Sequence, residues 1–175
     1  MELPAEPGKP KRYDYEYGRI GTCNLFMFFA PLEGWRRVSV TDRRTRGDWA
    51  YEIRHLVDVD CPDAERITLV MDNLNTHNPA SLYETFEPAE ARRILERLDI
   101  HYTPKHGSWL NMAEIERGVL NGQCLNRRID DQECLKTEVA AWPSTRNATQ
   151  KGVDWRFTTE DARIKLKRLY PTIQC

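Results

Sequence analysis

Apolar and polar residues follow one another along this chain in patterns that change from strand-like to helical spacing. Residues 25–29 are continuously apolar, as in a strand covered on both faces, and residues 35–41 alternate between apolar and polar. With the turn at residues 31–34, these two segments predict a β-hairpin. Apolar positions at helical spacing then predict a helix over residues 45–57, and residues 66–72 form a short apolar strand that ends in a carboxylate.

The second half of the chain is predicted to be mainly helical. Asn78 and Pro88 each predict the start of a helix, and a short strand with alternating apolar residues follows at residues 99–103. Further helices are predicted over residues 108–125 and 136–142, and from Thr158 onward. The order β-β-α-β-α-α-β-α, with a helical C-terminal part, predicts an α/β fold whose sheet is mixed because it opens with a hairpin.

Three regions are expected from this organisation. Residues 1–18 are rich in Pro and Tyr and are predicted to form a tail, in which tyrosines alternate with polar residues as in an edge strand. Residues 19–128 hold the predicted strands and are expected to form the core. Residues 129–175 are expected to form a helical C-terminal extension.

The charge of the chain is nearly balanced, since 26 Lys and Arg residues against 27 Asp and Glu residues give a net charge of −1. This excludes binding to nucleic acid through overall basicity, so any basic surface is local. The longest apolar run, residues 25–32, is far shorter than the roughly 20 residues of a membrane helix, and the acidic start of the chain is unlike a signal peptide. Because the cysteines are odd in number and form no CxxC pair, we expect reduced thiols in a cytoplasmic protein without a membrane partner.

Two carboxylates occupy positions at which the sequence pattern alone indicates a candidate catalytic or metal-binding role. Asp72 ends an apolar strand, where ligands collect in open α/β sheets, although an Asp that caps its own loop would have the same position. Glu114 lies four residues after Leu110 and is expected to share its apolar helix face, whereas Glu116 is expected to be solvated. A solvated Glu114 is the alternative. Two converging carboxylates suit Mg²⁺, and a pair of such ions can promote phosphodiester chemistry.

Two segments that contain these acids resemble the DDE transposases, and in particular the bacterial insertion-sequence relatives of the Tc/mariner elements. They are Asp-Asn-Leu-Asn-Thr-His at residues 72–77 and His-Gly-Ser-Trp-Leu-Asn-Met-Ala-Glu at residues 106–114. The similarity continues at residues 12–17, 21–26 and 155–163, and so covers nearly the whole chain. The resemblance implies a ribonuclease-H-like fold, a mixed sheet with flanking helices, and metal-dependent DNA cleavage and strand transfer in transposition.

The resemblance also implies the site and its partners. The family triad of two Asp and one Glu binds two Mg²⁺ or Mn²⁺ ions, and Asp72 matches the second Asp. Glu114 matches the Glu through the pattern Leu-Asn-x-x-Glu, with Glu116 as the competing assignment. Both matched residues are expected to be catalytic and to bind metal. The implied partners are DNA at the element's terminal repeats and the target DNA, in a bacterial cytoplasm and at the nucleoid when bound.

The first Asp of the triad has no match. It is expected on a strand upstream of residues 12–17, and Asp14 and Asp42 are poor substitutes by position. We therefore expect the chain to correspond to the C-terminal part of a transposase, with the first, central strand of the sheet missing. The strands near residues 25–29 and 67–71 would then lose a common neighbour. Open strand edges favour self-association or pairing with an upstream transposase segment.

Basic and histidine side chains supply weaker candidates for contacts to the DNA backbone. One group is a local basic patch around the second hairpin strand, for which a solvated surface is an equal alternative. The other flanks the expected site, where ordinary loop residues are as good an interpretation. The candidates are Arg36, Arg37, Arg43, Arg44, His77, Lys105 and His106.

Three functions remain open from the sequence. The first is an insertion-sequence transposase fragment that cleaves DNA with bound metal. The second is a catalytically inactive remnant that binds DNA or the full-length transposase. The third is an α/β hydrolytic or metal-binding domain unrelated to DNA, which predicts that DNA binding dependent on salt concentration is absent.

Overall fold

The secondary structure follows the order expected from the sequence. The computed structural model describes residues 2–3, 7–8, 12–13, 21–104, 107, 110–150 and 152–167. The elements in these ranges are β1 (Glu2–Leu3), β2 (Arg12–Tyr13), β3 (Asn24–Ala30), β4 (Trp35–Thr41), α1 (Arg46–His55), β5 (Ile67–Met71), α2 (Ala80–Thr85), α3 (Pro88–Glu96), β6 (Leu98–Tyr102), α4 (Met112–Leu120), α5 (Gln132–Ala148) and α6 (Thr159–Lys165). Short π-helical turns extend α1 through Leu56–Asp60 and α4 through Asn121–Leu125.

The predicted hairpin is confirmed. Strands β3 and β4 pair antiparallel, with Leu25 opposite Val40 and Met27 opposite Val38. The turn between them ends at Gly34, whose φ of +64° is in the left-handed region. A Cβ at this position would lie 2.5 Å from the carbonyl carbon of Gln150, so glycine is required both by the backbone angle and by the close approach.

The predicted strand that ends at Asp72 is also confirmed, and it has a parallel partner. Strand β5 pairs with β6, with Ile67 opposite Leu98 and Met71 opposite Tyr102. Helices α2 and α3 form the crossover that a parallel connection requires. As a result, the carboxyl ends of β5 and β6 lie side by side.

The mixed α/β class is confirmed, but one continuous sheet is not what the structure shows. Within the described ranges, β3–β4 and β5–β6 are separate two-stranded sheets, with no strand between them. The two sheets nevertheless share a core, because Phe26 of β3 and Met71 of β5 belong to one buried cluster with Trp49 and Ile53 of α1.

A second core lies on the other side of the hairpin. It joins Val38 of β4 to Leu120 at the end of α4 and to Val139 and Trp142 of α5. Helix α5 continues well beyond the predicted residues 136–142 despite the proline at position 143. Pro143 is itself buried, so packing of α5 against the hairpin outweighs the lost backbone hydrogen bond.

Two helix starts differ in detail from the predictions. Helix α4 is capped by Asn111, whose side-chain oxygen accepts a hydrogen bond from the backbone N–H of Ala113 at 3.1 Å. Ser108, at which the predicted helix over residues 108–125 begins, lies outside the described residues. Helix α2 has Pro79 at its cap position and no side-chain cap, so Asn78 is not the N-cap.

In the N-terminal region, the described residues are those of strands β1 and β2 and of a turn at residues 7–8. They pair antiparallel, with Glu2 opposite Tyr13. The other tyrosines of the predicted edge strand lie outside the described residues. None of the helices that the structure describes combines the length and the apolar character needed to span a membrane.

Candidate functional site

Asp72 lies directly after β5, at the shared carboxyl edge of the parallel pair. The backbone N–H of Thr103 donates to the carbonyl of Met71 at 2.9 Å, which continues the pairing of β5 and β6 up to this point. The side chain of Asp72 is 37% exposed, so its carboxylate is accessible to a ligand from solvent. This is the edge at which ligands bind in open α/β sheets.

His77 holds one oxygen of this carboxylate. Its Nδ1 lies 2.9 Å from Oδ1 of Asp72. The ring stacks on Trp49, with 6.0 Å between ring centroids, and a tilted Phe26 lies 6.3 Å away. Its Nε2 is buried and has no hydrogen-bond partner in the described part of the chain. Among the described residues, no hydrogen bond reaches Oδ2 of Asp72, which is therefore open to a ligand.

The loop from Asp72 to α2 is closed by hydrogen bonds that fix the position of His77. The hydroxyl of Tyr102 donates to the carbonyl of His77 at 3.1 Å, and the hydroxyl of Ser81 donates to the carbonyl of Thr76 at 2.9 Å. Burial raises the pKa of the Tyr102 phenol above its usual value, so this group remains a donor at neutral pH. The loop is thus tied both to β6 and to α2.

Glu114 has a different environment from the one expected. It lies in the first turn of α4, is exposed, and forms a 3.0 Å ion pair with Arg117 at the surface. The expectation that it shares a buried face with Leu110 is wrong, because Leu110 precedes the cap residue Asn111 and is not part of the helix. An exposed carboxylate remains available to a metal ion.

Glu116, expected to be solvated, is instead buried. Its Oε2 lies 3.4 Å from Nε of Arg36, and its Oε1 lies 3.1 Å from Nη2 of Arg146. Burial lowers the pKa of the Arg36 guanidinium, whereas the nearby Glu116 carboxylate opposes that change. Positions 114 and 116 are separated by about 200° around the helix axis. Glu116 therefore points between β4 and α5, where its carboxylate pairs with two arginines. It is a poor candidate for a metal ligand.

The basic patch expected around β4 is divided between interior and surface. Arg36 is 1% exposed, and Arg37 pairs with Asp60 at 2.6 Å and with Glu52 at 2.5 Å. The expectation of a contiguous solvent-facing patch is therefore wrong for these two arginines, whose charges are engaged inside the fold. The two remaining arginines of the patch, at positions 43 and 44, are exposed.

The histidine and lysine candidates differ in what can be said of them. The side chain of His77 is only 14% exposed and faces Asp72, so in this arrangement it is not presented to a phosphate. Lys105 and His106 lie outside the described residues.

The donor chemistry fits a hard divalent cation in part. Asp72 and Glu114 offer accessible carboxylate oxygens, which Mg²⁺ and Mn²⁺ prefer. However, no three His, Cys, Asp or Glu side chains converge into a metal cluster anywhere in the described part of the chain. Asp42, the described alternative for the first Asp, is exposed and hydrogen-bonded to Gln132.

Sequence reasoning missed the buried Arg36–Glu116 pair, although the pattern contained a signal for both members. Arg36 has the same strand parity as the buried Val38, which places the two on one face. Glu116 lies four residues before the buried Leu120, which places these two on one helix face. The pairing of His77 with Asp72 had no comparable signal, because it depends on how the loop folds back.

The family can be stated from comparison with known proteins. The family model of the DDE superfamily endonucleases matches residues 2–136, which is more than half of the sequence, and the chain therefore belongs to that family. The family cleaves phosphodiester bonds in DNA and generally uses divalent metal ions. Comparisons with curated proteins and with solved structures give no match.

Proposed function

We propose that this chain is the catalytic part of an insertion-sequence transposase of the Tc/mariner-like branch, with a ribonuclease-H-like fold and with Asp72 and Glu114 as metal ligands. The observation that carries the proposal is the Asp72 carboxylate at the carboxyl edge of β5, with one oxygen held by His77 and the other open. The family membership supports the class of reaction. The proposed substrate is DNA at the ends of the element and at the target site.

In this proposal the protein residues hold and orient the metal ion, and the metal ion supplies the positive charge. Asp72 and Glu114 would hold Mg²⁺ or Mn²⁺, which when bound activates a nucleophilic oxygen and stabilises the leaving oxygen in phosphodiester cleavage. Asp72 is held by a strand end and by a closed loop, which favours a fixed carboxylate position. Glu114 lies on the first turn of α4. To bind metal through the oxygen that now faces Arg117, it must break its ion pair with that residue.

The third carboxylate is proposed to come from a strand that inserts between β3 and β5. Each of these strands has one paired edge within the described ranges, and both contribute to the same core. A strand ending in Asp and supplied by a separate polypeptide segment would complete both the sheet and the donor set.

Contact to the DNA backbone is proposed for Arg43 and Arg44. Both are exposed just after β4, and neither takes part in an ion pair within the described residues. Exposed arginines bind phosphates without regard to sequence, and each such contact adds to the salt dependence of binding. Lys105 and His106, which follow β6 along the sequence, are proposed as further contacts.

A second function is favoured by one specific observation. Because no three metal-binding side chains converge in the described residues, the chain alone can act as an inactive remnant that binds DNA or the full-length transposase. This alternative predicts DNA binding with no cleavage under any condition.

The test is nicking of a supercoiled plasmid that carries the DNA flanking the gene, in Mg²⁺ or Mn²⁺. We expect no nicking by the chain alone, because two carboxylates do not fix two ions along the in-line path. Nicking should appear when a polypeptide that carries a strand ending in Asp is added. It should be abolished by Asp72→Ala and by Glu114→Ala, but retained in Asp99→Ala, a surface aspartate of β6 that pairs with His101.

The other outcomes of the nicking and DNA-binding measurements distinguish between the candidate functions. Binding that weakens with salt but never leads to nicking favours the inactive remnant. Nicking by the chain alone that is lost in Asp72→Ala would contradict the need for a third carboxylate from outside, and Asp42→Ala would then be the next variant to measure. Absence of any salt-dependent DNA binding would favour the domain unrelated to DNA.

A further inference from the structure

The surroundings of His77 leave it one orientation and one hydrogen-bonding role. The ring lies against Trp49 and Phe26, and it is 14% exposed. Its Nδ1 faces Oδ1 of Asp72 at 2.9 Å, whereas Nε2 is buried and has no hydrogen-bond partner among the residues that the structure describes. An ionised carboxylate can only accept, so Nδ1 must carry the hydrogen. Within the described residues, a hydrogen on Nε2 would be buried without an acceptor, which favours the tautomer with its hydrogen on Nδ1.

We propose that His77 is a positioning residue that, by donating from Nδ1 to Oδ1 of Asp72, fixes the carboxylate with Oδ2 directed to the metal ion. This inference rests on the proposed function, since it assumes that Asp72 binds metal. The stacked ring gives the donor a rigid support, and a carboxylate held at one oxygen has fewer orientations to lose when the other binds a cation. Hydrogen bonds to metal ligands commonly contribute tenfold or more to metal affinity.

The loop contacts support the same role. The carbonyl of His77 is held by the Tyr102 hydroxyl from β6, and its backbone N–H donates to the carbonyl of Leu74 at 2.9 Å. The backbone of His77 is therefore held by β6 and by the loop that begins at Asp72, and its ring is held by Asp72 itself. A histidine that served only to fill the core would not need its one donor aimed at the half-exposed carboxylate.

Two substitutions separate the donor from the ring. His77→Phe keeps an aromatic ring between Trp49 and Phe26 but removes the donor. His77→Asn places an amide N–H near the position of Nδ1 but removes the ring. A packing role predicts that His77→Phe matches the wild type in both metal affinity and stability. It also predicts that His77→Asn is weaker in both. A positioning role predicts that metal affinity follows the donor, whereas stability follows the ring.

The experiment is a Mn²⁺ titration followed by paramagnetic broadening of backbone NMR signals around Asp72, together with urea unfolding of each variant. We expect Asp72→Ala to abolish the local broadening. His77→Phe should bind Mn²⁺ about tenfold more weakly while unfolding near the wild-type midpoint. His77→Asn should bind within about threefold of the wild type despite a lower unfolding midpoint. NMR of the His77 ring nitrogens should show hydrogen on Nδ1.

The outcomes distinguish this inference from the proposed function. If the wild type binds Mn²⁺ at Asp72 and His77→Phe binds equally well, the positioning role is overturned and the metal site stands. Hydrogen on Nε2 rather than Nδ1 overturns the positioning role without reference to metal. If the wild type shows no broadening that depends on Asp72, the proposed metal site fails, and the inference that rests on it fails too.

Discussion

Arg36 and Glu116 form an ion pair in the protein interior, with Nε of Arg36 3.4 Å from Oε2 of Glu116 and neither side chain more than 3% exposed. Arg146 approaches the other carboxylate oxygen at 3.1 Å, so one acid lies between two arginines. The three residues come from β4, α4 and α5. The pair therefore ties the hairpin to the helix that carries Glu114, and its loss should be felt in the whole fold.

Replacing Glu116 by alanine should destabilise the protein by about 3–5 kcal/mol, because it leaves the buried Arg36 guanidinium without its carboxylate. The matched control is Glu114→Ala, two residues away on the same helix, where an exposed pair with Arg117 contributes less than about 1 kcal/mol. Urea unfolding of both variants gives the comparison. Equal losses for the two variants would mean that Glu116 is not buried as described.

Asn147 should be nearly as sensitive, for a different reason. Its side-chain oxygen accepts from the backbone N–H of Arg36 at 3.0 Å, and its amide donates to the carbonyl of Arg36 at 2.8 Å. The side chain thus pairs with the outer edge of β4 as a neighbouring strand would. Asn147→Ala should cost about 2–3 kcal/mol, because two backbone groups lose their partners. Ser144→Ala, an exposed position on the same helix, should change the free energy of unfolding by less than about 0.5 kcal/mol.

The local elements were largely predictable from sequence because their periods are strong. The apolar run of β3, the alternation in β4 and the carboxylate at the end of β5 place the hairpin and Asp72 correctly. The length of α5 was not predictable from pattern, since Pro143 normally ends a helix and only its packing on the hairpin retains it.

The site was predictable in its residue types and less so in its geometry. The sequence predicted that Glu114 shares an apolar helix face and that Glu116 is solvated, whereas the structure shows an exposed Glu114 and a buried Glu116. The reason is that α4 begins at Met112, so Leu110 is not on the helix face. The hydrogen bond between His77 and Asp72 arises from a loop that returns to its own strand end. Such a contact depends on tertiary structure, in which spacing along the chain carries little information.

The start of α6 provides a prediction of pH dependence. Hydrogen bonds from the backbone N–H and the hydroxyl of Thr158 lower the pKa of the Asp161 carboxyl below its ordinary value of 3.8. Because the pKa is lower in the folded state, the contribution to stability is present above pH 3.8 and is lost as the pH falls through the folded pKa.

An NMR titration of the Asp161 carboxyl carbon should therefore give a pKa below 3.8 in the wild type. Thr158→Val should move that pKa upward, because the hydroxyl donor is gone. The same change at Thr149, whose hydroxyl donates to the carbonyl of Arg146 at the end of α5, should leave the Asp161 titration unchanged. A wild-type pKa at or above 3.8 would contradict the capping arrangement.

Arg97 closes the segment between α1 and β5. Its guanidinium donates to the carbonyl of Val57 at 3.0 Å, of Cys61 at 2.7 Å and of Pro62 at 3.0 Å, and its Nε donates to the carbonyl of Ala64 at 3.0 Å. One side chain at the end of α3 thus satisfies several carbonyls of residues 57–64, a segment that pairs with none of the described strands. The planar fork of arginine suits this arrangement, whereas lysine offers a single ammonium group.

Arg97→Lys should therefore open the segment of residues 57–64 without unfolding the rest of the protein. We expect faster hydrogen exchange at the amides of Cys61 and Ala64, whose acceptors lie within the π-helical turn and the loop, and a loss of at least about 2 kcal/mol in the free energy of unfolding. Arg92→Lys is the matched control, since Arg92 lies on the surface of α3 and pairs there with Glu96. Its exchange pattern should match the wild type.

If hydrogen exchange at residues 57–64 is the same in both variants, the segment is held by its own turn, and the hydrogen bonds of Arg97 do not stabilise it. If exchange rises throughout the chain in Arg97→Lys, the loop is part of the cooperative core, because its opening then cannot be separated from global unfolding.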